Sequence, residues 1–182
     1  MAVDLQPTLH GETVVIRPLA ASDWDAFYAI ARDPLIWEVH PFSTRWQEPV
    51  ARAYFFEGLA SGGGVAITQR AAGSLIGSSR LSYHADRRAM EVGSTFVARD
   101  YWGGAVNHEV KRLMLAHALR FAERVEFRVG ATNIRSRRAM EKIGGWLTDR
   151  LDHTEVEGKP VVHVIYEIDR AMFAAGPLNQ LK

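Results

Sequence analysis

The sequence contains no cysteine, which excludes disulfides, thiolate metal sites and a cysteine nucleophile. It has no excess of charge of either sign. Twenty-two basic and twenty-one acidic residues leave a formal net charge of +1, which argues against a nucleic-acid partner. No uninterrupted apolar run approaches the roughly twenty residues that span a bilayer. The first ten residues, MAVDLQPTLH, lack the apolar core of a secretory leader. A soluble, cytoplasmic protein with no membrane partner is expected. Neither G-x-x-x-x-G-K-[ST] nor G-x-G-x-x-G occurs. His10, His40, His84, His108, His117, His153 and His163 include no H-E-x-x-H pair, so no metal is expected.

The most informative stretch that is present is 89–121, AMEVGSTFVARDYWGGAVNHEVKRLMLAHALRF. A strand pattern runs into a glycine turn, and the turn opens directly into an amphipathic helix. Glycines allow close backbone approach to a ligand, and a helix start offers unpaired N–H groups. The segment reads as a phosphate cradle.

The rest of the chain, at 182 residues, fits one domain, with a core over about 11–170 and a tail over 171–182. Residues 1–10 read as a loose lead-in. A strand at 13–17 (TVVIR) precedes a helix that Ser22 and Asp23 begin. A short piece follows between Pro34 and Pro41, then a helix over about 50–59. Strands at 65–69, 75–83 and 89–98 form an antiparallel meander with short turns. A helix over 107–123 leads to a strand at 125–129, a helix over 134–143 and two strands at 146–155 and 161–168. Those two join at the Glu157-Gly158 turn. This order gives an α+β fold with a mixed sheet, because the helix after the meander is a crossover to a strand that can pair in parallel.

That order resembles the GNAT superfamily of acyl-CoA-dependent N-acetyltransferases. VVIRPL, DPLIW, EVGSTFVARDYWGGAVNHEVKRLMLAHAL, NIRSRRAMEKIGG and the closing HVIYEI resemble most the branch related to ribosomal-protein alanine N-acetyltransferases. The resemblance covers about 11–170. It implies a central, mostly antiparallel sheet of six or seven strands flanked by about four helices, with acetyl-CoA as co-substrate. It also implies a cofactor site at Phe96, Val97, Arg99, Trp102, Gly103, Gly104, Ala105, Val106, Asn107, Asn133, Ser136 and Arg138. Against the superfamily turn Q/R-x-x-G-x-G/A, Trp102 stands at the head, Ala105 at the first small position and Asn107 at the last. Relatives often dimerise, so a homodimer is one expected state.

Glu91 matches the position of a general base in related enzymes. An attacking amine must lose a proton, and a carboxylate in an apolar strand has a raised affinity for protons. The competing reading pairs it with Arg80, Arg87 or Arg88. Asn133 fits a helix cap and, by resemblance, a hydrogen-bond partner of the pantetheine amide. Ser136, one turn on, is the candidate to reach the leaving sulfur, or simply satisfies its own backbone. Where many relatives carry a tyrosine acid, this chain has Met140. Arg99, Arg135, Arg137 and Arg138 are candidates for the 3′-phosphate of the coenzyme. Trp37, His40 and His163 are candidate acceptor contacts, and His117 reads as a satisfied core histidine. The expected activity is acetyl transfer to a primary amine, on a small molecule or a protein N-terminus, by direct attack. A non-catalytic acyl-CoA sensor is the alternative, and a different phosphate-ligand enzyme a third.

Overall fold

A computed structural model describes residues 2–156 and 158–180. Short runs of β-branched residues build the sheet. Its strands are β1 (Leu9–His10), β2 (Val14–Pro18), β3 (Gly64–Gln69), β4 (Leu75–His84), β5 (Ala89–Val97), β6 (Arg124–Gly130), β7 (Trp146–Val156) and β8 (Lys159–Asp169). They lie side by side in the order β1-β2-β3-β4-β5-β6-β8-β7. Every pairing is antiparallel except β5 with β6. The eighth strand is β1, inside the expected lead-in, where Leu9 pairs with Ile16. A two-residue strand has too few residues to show an alternating pattern.

Among the described residues, four helices of eight residues or more flank the sheet: α1 (Trp24–Ala31), α3 (Glu48–Ala60), α4 (Ala105–Ala118) and α5 (Ile134–Lys142). Three shorter ones are α2 (Pro34–Trp37), α6 (Arg170–Ala175) and α7 (Pro177–Gln180). On one face, α1, α2 and α3 enclose an aromatic core of Phe27, Trp37, Tyr54, Phe55 and Phe96. On the other face, Val110, Met114 and Leu115 of α4 pack on Ile16, Ile67, Val92 and Phe127.

The helix expected over 107–123 begins at Ala105 and ends at Ala118. Tighter bonds from Arg120 N–H to the His117 carbonyl and from Phe121 N–H to the Ala118 carbonyl turn the chain out of it. Arg170 closes this end by donating to the carbonyls of Leu119 and Ala122, at 2.9 and 3.0 Å. The stretch expected as a tail from residue 171 folds, as far as 180, into α6 and α7. Asp169 caps α6 by accepting from Met172 N–H, and Leu178 is 2% exposed in the core. Of the expected turn at Glu157-Gly158, Glu157 lies outside the described residues, and Gly158 has a φ of +75°.

Candidate active site

The parallel pairing of β5 with β6 lasts only three rungs, Ala89–Arg124, Met90–Val125 and Glu91–Glu126. Above Glu91 the strands part. The cause is a bulge in β5. Ser78 pairs with Phe96 but Arg80 already pairs with Gly93, so β5 holds one residue more than β4 across this gap. An extra residue kinks and twists its strand. The bulge contains Ser94, at a left-handed φ of +53°, a conformation that costs a non-glycine residue energy unless neighbours hold it. Tyr54 Oη donates to the Ser94 carbonyl at 2.7 Å from the aromatic face. On the α4 face Ser79 Oγ lies 2.7 Å from Thr95 Oγ1 and donates to the Gly93 carbonyl at 3.2 Å. The two sets of bonds clamp the bulge from both faces.

Above the split lies the glycine turn. Trp102 folds back so that its Nε1 donates to the Val97 carbonyl at 3.0 Å. Gly103 takes a φ of +68°, and Gly104 is the residue before α4. Among the described residues no side chain caps this helix, so the first-turn N–H groups at Ala105, Val106 and Asn107 are available to an anion, with the helix dipole behind them. A Cβ on Gly103 would meet nothing within 4 Å, and one on Gly104 only the Tyr101 carbonyl at 4.0 Å. The space and donors fit a pyrophosphate.

The arginines near this mouth mostly hold protein groups. Arg99 pairs with Asp33. Arg135 stacks over Trp102 at 4.3 Å and donates to the Ile36 carbonyl at 2.7 Å. Arg137 donates to Tyr166 Oη and the Ala131 carbonyl. Arg138 is exposed. Asn133, 4% exposed, caps α5 by accepting from Ser136 N–H at 3.1 Å, which makes Ser136 a first-turn residue beside the end of β6.

Glu91 occupies the last rung before the split. Its Oε2 lies 3.1 Å from His84 Nε2. Its other oxygen lies over Gly93, where an added Cβ would stand 3.1 Å away. The carboxylate therefore runs along the strand towards the bulge. None of the arginines considered as partners reaches it: Arg80 pairs with Glu57, Arg87 with Asp86 and Glu126, and Arg88 with Glu123.

The expected acceptor contacts divide. Trp37 is core, with Nε1 donating to the Ala31 carbonyl at 2.7 Å. The Phe96 ring likewise packs among Phe27, Trp37 and Tyr54, leaving only its backbone for a cofactor. His40 and His163 are near enough for the charge of one to disfavour charge on the other. His40 Nδ1 accepts from Phe42 N–H at 3.0 Å. A neutral ring then carries its proton on Nε2, so the 3.3 Å approach of Arg45 Nη1 brings two donors together. Burial first, and then Arg45, push the His40 pKa down to about 3. Burial also lowers that of His163, with Arg128 adding to it and Asp152 opposing. Arg45 itself stacks over Tyr54 at 4.0 Å and Phe42 at 4.3 Å. Met140 is buried in the core, and His117 is satisfied by the Asp4 carbonyl at 2.8 Å.

Lys111, on α4, is a further residue that no motif in the sequence singles out. It is 5% exposed. Its Nζ donates to Thr95 Oγ1 at 3.2 Å and lies 5.2 Å from the centre of the Phe127 ring. Burial lowers its pKa from 10.5 to about 8. One signal was available: Lys111 stands three and four residues before Met114 and Leu115, within the apolar stripe.

A family model described as acetyltransferase (GNAT) domain matches residues 13–145. Among solved structures, a GCN5-related N-acetyltransferase from Brucella melitensis superposes with a TM-score of 0.78 at 17% identity, over 96% of this chain and 83% of that one. A GNAT-family acetyltransferase from Bacillus anthracis gives 0.72 at 16%, over 90% and 98%. Mycobacterium smegmatis RimJ in complex with CoA-disulfide gives 0.70 at 18%, over 91% and 86%. Among curated proteins, none matches.

Proposed function

This chain belongs to the GNAT acetyltransferase family, and on that premise we propose that it transfers an acetyl group from acetyl-CoA to a primary amine by direct attack. The observation that carries the reading is the three-rung pairing of β5 and β6 that opens beneath an uncapped helix start. A pyrophosphate at Gly103–Gly104 and the first turn of α4 sends the pantetheine arm down into the split, with Val97, Asn133 and Ser136 at its edges. The amine enters on the face of α2 and α3, near His40 and His163. Its nitrogen forms the C–N bond, the C–S bond breaks, and coenzyme A leaves as a thiolate. Glu91 takes the proton from the amine, directly or through water. With an ordinary thiol pKa of about 8.5, the leaving group needs little acid help, which suits a site whose Met140 has no proton to give.

Release of free coenzyme A, corrected for hydrolysis, over a panel of small primary amines and peptide N-termini tests this. Amine-dependent release is expected. Binding of acetyl-CoA with no turnover on any amine would favour the sensor reading, which rests on Met140 in place of a tyrosine acid and on Ala105 in the turn. Stabilisation by ATP or NAD but not by acetyl-CoA would sink both. A homodimer through β7 is part of the proposal, supported by the exposure of Trp146, Leu147 and Leu151 on that edge strand. Sedimentation of the wild type against Trp146→Lys checks it.

A further inference from the structure

Lys111 is an ammonium group in a place that gives it little to bind. It projects from the second turn of α4, about 9 Å down the helix axis from Ala105 at 1.5 Å per residue. Thr95 belongs to β5 and Phe127 to β6, so contact with both puts Nζ between the two strands where they diverge. An ammonium has three N–H donors. One is used by Thr95 Oγ1, which is itself linked to Ser79. Among the described residues no carboxylate faces it, and its only other partner is a ring. A buried charge with unspent donors is costly, and a structure retains it where an acceptor arrives to meet it.

We propose that Lys111 is a further catalytic residue, whose ammonium group donates a hydrogen bond to the thioester carbonyl oxygen of bound acetyl-CoA. This rests on the acyl-CoA reading of the split given above. As the amine nitrogen bonds to the carbonyl carbon, the C=O π pair moves onto oxygen, where Lys111 holds the negative charge. The pair then returns, the C–S bond breaks, and Lys111 keeps its proton throughout. A positive donor fixed in a water-poor wedge stabilises that oxygen far more than one in water.

Lys111→Met tests the role. Methionine is of similar length and apolar, and it removes the desolvation cost of a buried charge at the loss of one hydrogen bond to Thr95. The variant is therefore expected to fold, with thermal denaturation as the check and Lys111→Gln as a second variant that keeps a neutral donor. Titration calorimetry with acetyl-CoA and with free CoA separates the acyl contact from the rest of the coenzyme. The wild type should prefer acetyl-CoA, and Lys111→Met should lose about tenfold of that preference with its affinity for CoA kept. Infrared spectra of acetyl-CoA carrying a ¹³C carbonyl should show the band at lower frequency in the wild type than in Lys111→Met, a change that a purely structural lysine would not produce. An unmoved band, or an acetyl group found covalently on Lys111, overturns the donor role while leaving the acyltransferase reading intact. A wild type that binds neither acetyl-CoA nor CoA defeats the acyltransferase reading itself.

Discussion

Tyr54 Oη donates to the Ser94 carbonyl at 2.7 Å, and this bond ties the wall of the aromatic face to the residue that bends β5 away from β6. Tyr54→Phe removes it and leaves a half-buried carbonyl without that donor. A loss of about 1 kcal/mol in unfolding free energy is expected, with faster amide exchange confined to 92–97. Unchanged exchange there would mean that the bulge holds without Tyr54.

Glu91→Gln keeps the shape of the last rung and removes the proposed base. Affinity for acetyl-CoA should survive, and turnover near neutral pH should fall by about 100-fold or more. A pH–rate profile identical to that of the wild type would take Glu91 out of the mechanism.

Gly104→Ala separates the cradle from the fold. The residue has an ordinary φ of −100°, and a Cβ there has room, so the melting temperature should hardly move. The methyl group stands where phosphate oxygens would lie, and CoA affinity should drop by about tenfold, or about 1.4 kcal/mol. Gly103→Ala differs, because its φ of +68° makes alanine cost about 1 kcal/mol of stability.

Lys111 also shapes stability against pH. Its folded pKa, about 8, is below the ordinary 10.5, so between these values the unfolded chain binds the proton more readily. Stability from this group is therefore fully present above pH 10.5 and is lost as pH falls to about 8, by roughly 3 kcal/mol. Lys111→Met should lack this slope in chemical denaturation between pH 8 and 10.

His40 gives the corresponding acid limb. Its folded pKa of about 3 lies below the ordinary 6.5, so stability is lost as pH falls from 6.5 towards 3, because only the unfolded chain takes up the proton freely. His40→Asn should flatten that limb. A wild-type curve level between pH 6.5 and 4 would contradict the burial of a neutral ring.

The sequence pattern was legible where a residue type has one use. Paired glycines before an amphipathic run marked the turn that opens into α4, and the placement of α4, β6 and α5 followed from periodicity. The bulge was not legible, because Ser94 takes a left-handed conformation that tertiary bonds impose and serine does not signal. Trp37, a candidate acceptor contact by sequence, carries no mark of direction as an aromatic side chain, and its bond to the Ala31 carbonyl turns it into the core. Leu178 could not be placed in the core from its polar neighbours alone. Lys111 was hidden by its type: a lysine on a helix is ordinarily a solvated residue, and only the strands above it reveal its enclosure.

The three-rung join has a mechanical side. Strands β1 to β5 form one plate and β6, β8 and β7 another, and the seam between them runs only from Ala89 to Glu91 in β5 and Arg124 to Glu126 in β6. Elsewhere α4 lies against both plates, and Arg87 pairs with Glu126 across the seam. A molecule wedged in the open part of that seam is a strut that loads both plates at once. Its arrival should stiffen strands far from any contact with it, and exchange protection should rise together in β4 and β8.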